Sequence, residues 1–319
     1  MFALGVTVTA AKVSEAEFIE LFTKHGAAGA ARIIGVKERN VYYRRRRLEE
    51  KMRAPLDHGA HRFDPTNIPG RVIEQLENGI VIVGSDAHYW PGIVSTAHRA
   101  FVKFCREYKP KIVCVNGDIF DGATASRHPP IGWETRPRLV DEIETCKDRL
   151  GEITVAADKA LRIWNLGNHD ARFETRLATT APEYAGIHGV HLKDHFPDWE
   201  PAWSLWINDT VVIKHRNRGG IHATHNNTVN AGKSMVTGHL HSLKVTPFTD
   251  YTGTRWGVDT GTMAEPFGPQ FNDYMEDNPR SWRSGFAVLT FENGELRWPE
   301  IVHVVRDGTV EFRGKTYTV

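Results

Sequence analysis

The sequence predicts a layered α/β sandwich with a small all-α domain ahead of it. Three observations predict this. From Arg71 onward, apolar runs that read as buried strands alternate with helical stretches, the pattern of an α/β core. After about residue 242 strands dominate, and Asn293-Gly294 and Asp307-Gly308 read as hairpin turns, so the fold closes in antiparallel strands. Residues 1–53 read instead as helices joined by a tight turn.

The elements are taken in chain order. Ser14-Glu15-Ala16-Glu17 fits a capping box, and Phe18, Ile19, Leu21 and Phe22 place an apolar face at helical spacing behind it. His25-Gly26 ends that helix, Ala27 to Ile34 forms a short second one, and Gly35 breaks the chain. Lys37 to Arg53 reads as a third helix carrying Arg39, Arg44, Arg45, Arg46 and Arg47. Helix, short helix, turn and basic helix is the helix-turn-helix pattern, and residues 26–36 resemble homeodomain-like modules of that kind. Pro and Gly without a clear period mark 54–78 as a linker, so the domain reading is 1–53, 54–78 and 79–319. Strands are expected at Gly79–Val83, Lys111–Val115, Leu161–Leu166, Thr210–Lys214, Ser234–Thr237 and Phe286–Phe291, with helices at Ala97–Tyr108 and Val140–Leu161.

Composition narrows the class. No apolar run approaches the roughly 20 residues that cross a bilayer, and no basic residue precedes the apolar stretch from Met1 to Ala11, which argues against a secretory signal. Cys105, Cys114 and Cys146 are odd in number and form no CxxC, so they read as reduced thiols of a cytoplasmic protein. The net charge of +1 is unevenly placed: residues 1–53 hold eleven Lys or Arg against six Glu, and the remainder is mildly acidic. A basic head on an acidic body predicts two jobs. Gly232-Lys233-Ser234 resembles the end of a P-loop, but Asn227 stands where the earlier Gly is required, so that reading fails.

Five polar blocks carry the chemistry. Ser85-Asp86-Ala87-His88, Gly117-Asp118-Ile119-Phe120-Asp121 and Gly167-Asn168-His169-Asp170 each come directly after an apolar run. His215 ends another, and Gly238-His239-Leu240-His241 completes the set. Asp, His and Asn at the C-terminal ends of strands stand where open α/β sheets gather ligands, and they are donors suited to divalent metals. His222 and His225 compete with His215, which is preferred because it directly ends a strand.

Taken in order, these blocks resemble the pattern DxH, GDxxD, GNH(D/E), lone His and GHxH of the calcineurin-like metallophosphoesterase family, from about Gly79 to Pro266. Asp259-Thr260-Gly261-Thr262 resembles the strand and turn that come next in that family. The resemblance implies an α/β/β/α sandwich and a phosphoester hydrolase that uses water activated by two divalent ions, manganese first, with iron, zinc, magnesium or nickel as alternatives. It implies that Asp86, His88, Asp118 and His241 hold one ion and that Asp118, Asn168, His215 and His239 hold the other, with Asp118 shared. His169 is then the general acid, Asp170 orients its ring, and Asp121 supports the ligands from behind.

Arg127, His128, Arg216 and Arg218 lie in loops beside these blocks and are candidates for binding substrate, while Trp90, Trp133 and Trp164 read as packing. The basic third helix makes DNA the expected partner, and a nucleic-acid phosphodiester the leading substrate. Two other functions compete: a phosphomonoesterase of the protein-phosphatase kind, and a DNA-binding regulatory protein whose hydrolase body is a scaffold. The sequence does not specify an oligomeric state.

Overall fold

The computed structural model describes residues 13–53, 56, 70–127, 135–275, 278 and 280–319. The chain divides into two compact units, Met1–Ile68 and Pro69–Val319.

In the first unit, α1 (Glu15–Ile34) begins with the capping box: Ser14 accepts from the Glu17 N–H and the Glu17 side chain accepts from the Ser14 N–H. Gly26 leaves the helical region (φ 64°) and kinks α1, and Gly35 ends it in the left-handed region. A second helix, α2 (Glu38–Met52), turns Val41 and Leu48 toward Phe18, Phe22, Ala30 and Ile34, which form this unit's core. Arg44 and Arg45 do not face outward. The Arg44 guanidinium lies 4.6 Å from the Phe18 ring centroid and donates to the Val13 carbonyl. Arg45 lies 5.3 Å from the Phe22 ring and pairs with Glu49 at 2.8 Å. Both guanidinium groups lie over aromatic rings, and that of Arg45 is also paired with a carboxylate. Arg39, Tyr42, Tyr43, Arg46 and Arg47 recur at helical spacing on the exposed face of α2.

The second unit is a two-sheet sandwich. It runs β1 (Arg71–Glu74), β2 (Gly79–Gly84), α3 (Thr96–Tyr108), β3 (Ile112–Asn116), α4 (Leu139–Ala156), β4 (Leu161–Asn165), α5 (Asp170–Thr180), β5 (Glu200–Ala202), β6 (Ser204–Ile207), β7 (Val211–Ile213), α6 (Ala223–Ala231), β8 (Ser234–Thr237), β9 (Lys244–Asp250), β10 (Gly253–Asp259), α7 (Asn272–Met275) and five closing strands. These are β11 (Gly285–Glu292), β12 (Glu295–Leu296), β13 (Glu300–Arg306), β14 (Thr309–Phe312) and β15 (Lys315–Thr318). One sheet has the order β1-β6-β7-β8-β10-β9, and the other β15-β14-β13-β11-β2-β3-β4-β5 with β12 on β11. Strand β1 falls within the span 54–78 and pairs in parallel with β6, because Val72 packs against the core between the sheets.

Alternation along the strands assigns the layers. Val81, Val83, Cys114 and Ile163 point between the sheets, where they meet Leu205, Ile213, Val236 and Val258. Ile82, Val113 and Val115 point the other way, onto Phe101 and Phe104 of α3 and Ile143 and Leu150 of α4. Helix α6 covers β8, β9 and β10 on the far side. The architecture is therefore the expected α/β/β/α sandwich. Strands β2, β3 and β4 run parallel in one sheet, and β7, β8 and β10 in the other. Among the described residues no helix is long and apolar enough to cross a membrane. All three cysteines are free and buried.

Candidate metal centre

The five blocks lie just beyond the C-terminal ends of β2, β3, β4, β7 and β8, and the chain brings them together. Each loop is locked to another by its backbone. Asp86 N donates to the Gly117 carbonyl at 2.9 Å, His88 N to that of Asp118 at 2.9 Å, and Gly238 N to that of His215 at 2.9 Å. Asp86, His88, Asp118, His239 and His241 all have positive φ. That region is costly for residues with a side chain, and such strain persists only where the surroundings enforce it, as at functional sites. Two motif glycines are required by close approach. A Cβ at Gly167 would stand 2.0 Å from Asp118 Oδ1, and one at Gly238 would stand 2.4 Å from Asp86 Oδ2.

The side chains form two close-set groups, buried except for His239, which is exposed, and Asn168, which is half-buried. Asp86 Oδ1 is 3.0 Å from His241 Nε2, and its other oxygen accepts from the His239 N–H at 2.8 Å. Asp118 Oδ2 is 3.1 Å from His215 Nε2, and Oδ1 accepts from the His169 N–H at 2.8 Å. Each carboxylate thus has one oxygen pinned by a backbone amide and the other turned to the imidazoles. His88 Nε2 and His169 Nε2 both stand 4.0 Å from Asp118 Oδ2. Asn168 Oδ1 is 3.2 Å from His215 Nε2. Ligand atoms of Asp86, His88 and His241 lie within 4.8 Å of one another, as do those of Asp118, His215 and His239.

A third group, His88, Asp121 and His169, is equally close-set. Its closeness has another origin, since Asp121 Oδ1 accepts from His88 Nδ1 at 2.9 Å and lies 3.0 Å from His169 Nδ1, which donates to the Asp121 carbonyl at 3.0 Å. That arrangement fixes both rings and leaves Nε2 of each facing Asp118.

These donors fit divalent cations. His88 Nε2 and His241 Nδ1 are buried with no hydrogen-bond partner among the described residues. Burying a polar nitrogen unpaired costs about 1–3 kcal/mol, a penalty that a cation at the lone pair removes. Burial works against charge on His215, yet Asp118 and Asp86 outweigh it and push the ring up to about 10. Burial also raises the Asp118 carboxyl, but His215, His169 and His88 more than offset this and hold it well below the carboxylate range. The pocket's field therefore favours positive charge within it.

The structure departs from the sequence reading at Asp170. Its side chain does not serve as the orienting partner of His169. Oδ2 accepts from the N–H groups of Asp118 and Gly167, both at 2.9 Å, and from the Trp164 indole at 3.1 Å, while Oδ1 accepts from Phe120 N–H at 3.2 Å. Asp170 is the first residue of α5, so its carboxylate turns back to satisfy free amides, and Asp121 takes the place beside the His169 ring. His222 and His225 lie outside the metal-ligating groups; the His225 ring packs on Phe248 with centroids 5.4 Å apart.

The rim residues differ among themselves. Arg127 and Arg216 are exposed, and His239 feels the charge of Arg216. Arg218 instead donates to Asn230 at 2.8 Å on α6. His128 and Trp133 lie outside the described residues. Arg172 was missed by the sequence reading: it donates to the Asp121 carbonyl at 3.0 Å and stands 3.0 Å from His169 Nε2. Its signal was its place one helical turn beyond His169. Phe271 and Trp282 were also missed, because no motif marks their loops. Phe271 lies 5.0 Å from the His88 ring, and Trp282 lies 4.5 Å from that of His241.

An α/β/β/α sandwich with paired Asp/His groups at one edge of its two sheets defines a metal-dependent hydrolase of phosphoester bonds. Residues 80–251 match the calcineurin-like phosphoesterase family, and the chain belongs to that family, whose members use a dinuclear metal centre. No curated protein matches the chain.

Proposed function

We propose that this enzyme is a two-metal phosphodiesterase acting on nucleic acid, with its N-terminal helices as a DNA-binding module. Asp86, His88, Asp118 and His241 are assigned to one ion and Asp118, Asn168, His215 and His239 to the other, with manganese the first choice. When bound, the ions supply the positive charge that acidifies a water and offsets charge on the phosphoryl oxygens. The protein's own groups do the rest. His169 is assigned as the general acid: it holds Nδ1 against Asp121, and its Nε2, which takes an N–H from Arg172 in this structure, gives a proton to the departing ester oxygen when the ring is protonated. Arg172 sets positive charge beside that nitrogen. Arg127 and Arg216 are assigned to substrate phosphate.

The observation that carries the nucleic-acid reading is the exposed face of α2, with Arg39, Tyr42, Tyr43, Arg46 and Arg47 on one side of the helix. Cations there meet phosphates, and tyrosine rings and hydroxyls meet sugar or base edges. Arg44 and Arg45, engaged in packing, are left out of this interface. The test is metal analysis of the purified chain paired with a turnover screen on single- and double-stranded DNA, RNA, cyclic nucleotides and a phosphopeptide. Cleavage of DNA or RNA is expected, and cleavage of the phosphopeptide alone overturns the reading.

A further inference from the structure

From the loops around the metal-ligating groups we infer that Trp282 is a stacking platform for a flat ring on the substrate, so that the favoured diester is one carrying a nucleoside. This rests on the phosphodiesterase reading above and narrows it. The indole lies 4.5 Å from the His241 ring and 5.0 Å from Phe271, at interplanar angles of 60° and 70°. Neither neighbour stacks parallel on it. Phe271 is 2% exposed and already walls both His88 and His241, at 5.0 and 5.5 Å. Trp282 packs with Phe271, Ala264 and Met275 and is only partly buried, and the part of the indole left exposed is the part offered to substrate.

The position of Trp282 is fixed through the next residue. Arg283 N–H donates to the His241 carbonyl at 2.7 Å, and the Arg283 carbonyl accepts from Thr262 N–H at 3.1 Å. The backbone beside Trp282 is thereby tied to the loop that carries His241. The exposed Arg283 side chain donates to the Trp282 carbonyl at 2.9 Å. A flat hydrophobic ring one ring away from His241, beside the groups assigned to the ions, matches the base of a nucleotide whose phosphate lies at those groups. Stacking of a base on such a face tolerates any base.

The test uses the full chain loaded with manganese and compares a dinucleotide with glycerophosphoethanolamine, an aliphatic diester. Two variants separate a platform from a wall: Trp282→Leu keeps apolar bulk but no flat face, and Trp282→Phe keeps a smaller face. The expected result for Trp282→Leu is a KM for the dinucleotide raised about tenfold, with the aliphatic diester unchanged within about twofold and metal content intact. Trp282→Phe should fall between wild type and Trp282→Leu. Equal losses on both substrates, or loss of metal, make Trp282 a wall for His241 and overturn the platform. Wild-type turnover of both diesters with no effect of either variant also overturns it, while the phosphodiesterase reading stands. If the wild type hydrolyses only monoesters, that reading fails and the platform fails with it.

Discussion

One carboxylate oxygen of Asp121 stands 2.9 Å from Nδ1 of His88. The same oxygen is 3.0 Å from Nδ1 of His169. A single anion thus orients the imidazole proposed as a metal ligand and the one proposed as proton donor. Asp121→Asn keeps the volume but removes the charge that both rings use. It should lower metal affinity or kcat by roughly 10–100-fold, read by metal titration and steady-state kinetics. Wild-type values for both would show that the rings need no such support.

Asp118→Asn tests the shared ligand. The change removes the charge that faces His215 at 3.1 Å and should cut turnover by at least about two orders of magnitude. DNA retention should be unchanged if the two compact units act independently. Full turnover in this variant would show that Asp118 is not the shared ligand.

Asp170→Asn should act on stability first. The carboxylate accepts from three backbone amides and one indole. An amide side chain offers one oxygen and sets an NH2 against the remaining donors. A loss of about 1–3 kcal/mol is expected in chemical denaturation. An unchanged midpoint would mean that these amides find other acceptors.

Glu142 predicts a pH dependence. Burial, and next the Asp121 charge, push its carboxyl up to about 8. The folded value lies above the ordinary one of 4.5, so the native state holds this proton more tightly than the unfolded chain does. That part of stability is complete below about pH 4.5 and is lost as pH rises through about 8. Glu142→Gln should flatten the slope of Tm against pH over this window. It should also cost about 1–3 kcal/mol, because Gly122 N–H and Ala123 N–H then share one acceptor oxygen. An unaltered slope assigns the pH response to other groups.

The basic helix divides into two kinds of arginine. Arg46→Ala and Arg47→Ala should each weaken DNA binding and lower the salt slope by about one. Arg44→Ala should instead lower the thermal midpoint of the first unit, since this guanidinium lies over Phe18. Gel shifts across a salt series, with melting curves for each variant, separate the outcomes.

The strands and the gathering of the polar blocks were legible in the sequence for the same reason. Buried parallel strands read as unbroken apolar runs, and the polar residues that end each run lie at one edge of the two sheets, so the nearness of Asp86, Asp118, Asn168 and His239 could be expected without coordinates. The contacts of Asp170 were not legible, because a carboxylate next to a histidine in sequence offers two partners and only the turn of α5 decides between them. The inward packing of Arg44 was hidden likewise: a run of arginines reveals charge, whereas Phe18 meets it only once α1 and α2 have packed. Trp282 lies in a loop whose composition carries no period, and its place beside His241 comes from backbone hydrogen bonds made far along the chain.

Asp86 lies just past a strand of one sheet and reaches across to His239 and His241, which lie just past a strand of the other. The layers are therefore buttoned at a single margin, by the groups proposed to take the cations. Ions bound there would fasten the seam and their removal would loosen it, so catalysis and the cohesion of the sandwich would share one clasp, and the enzyme stripped of metal should become easier to prise open along that margin before the rest of it gives way.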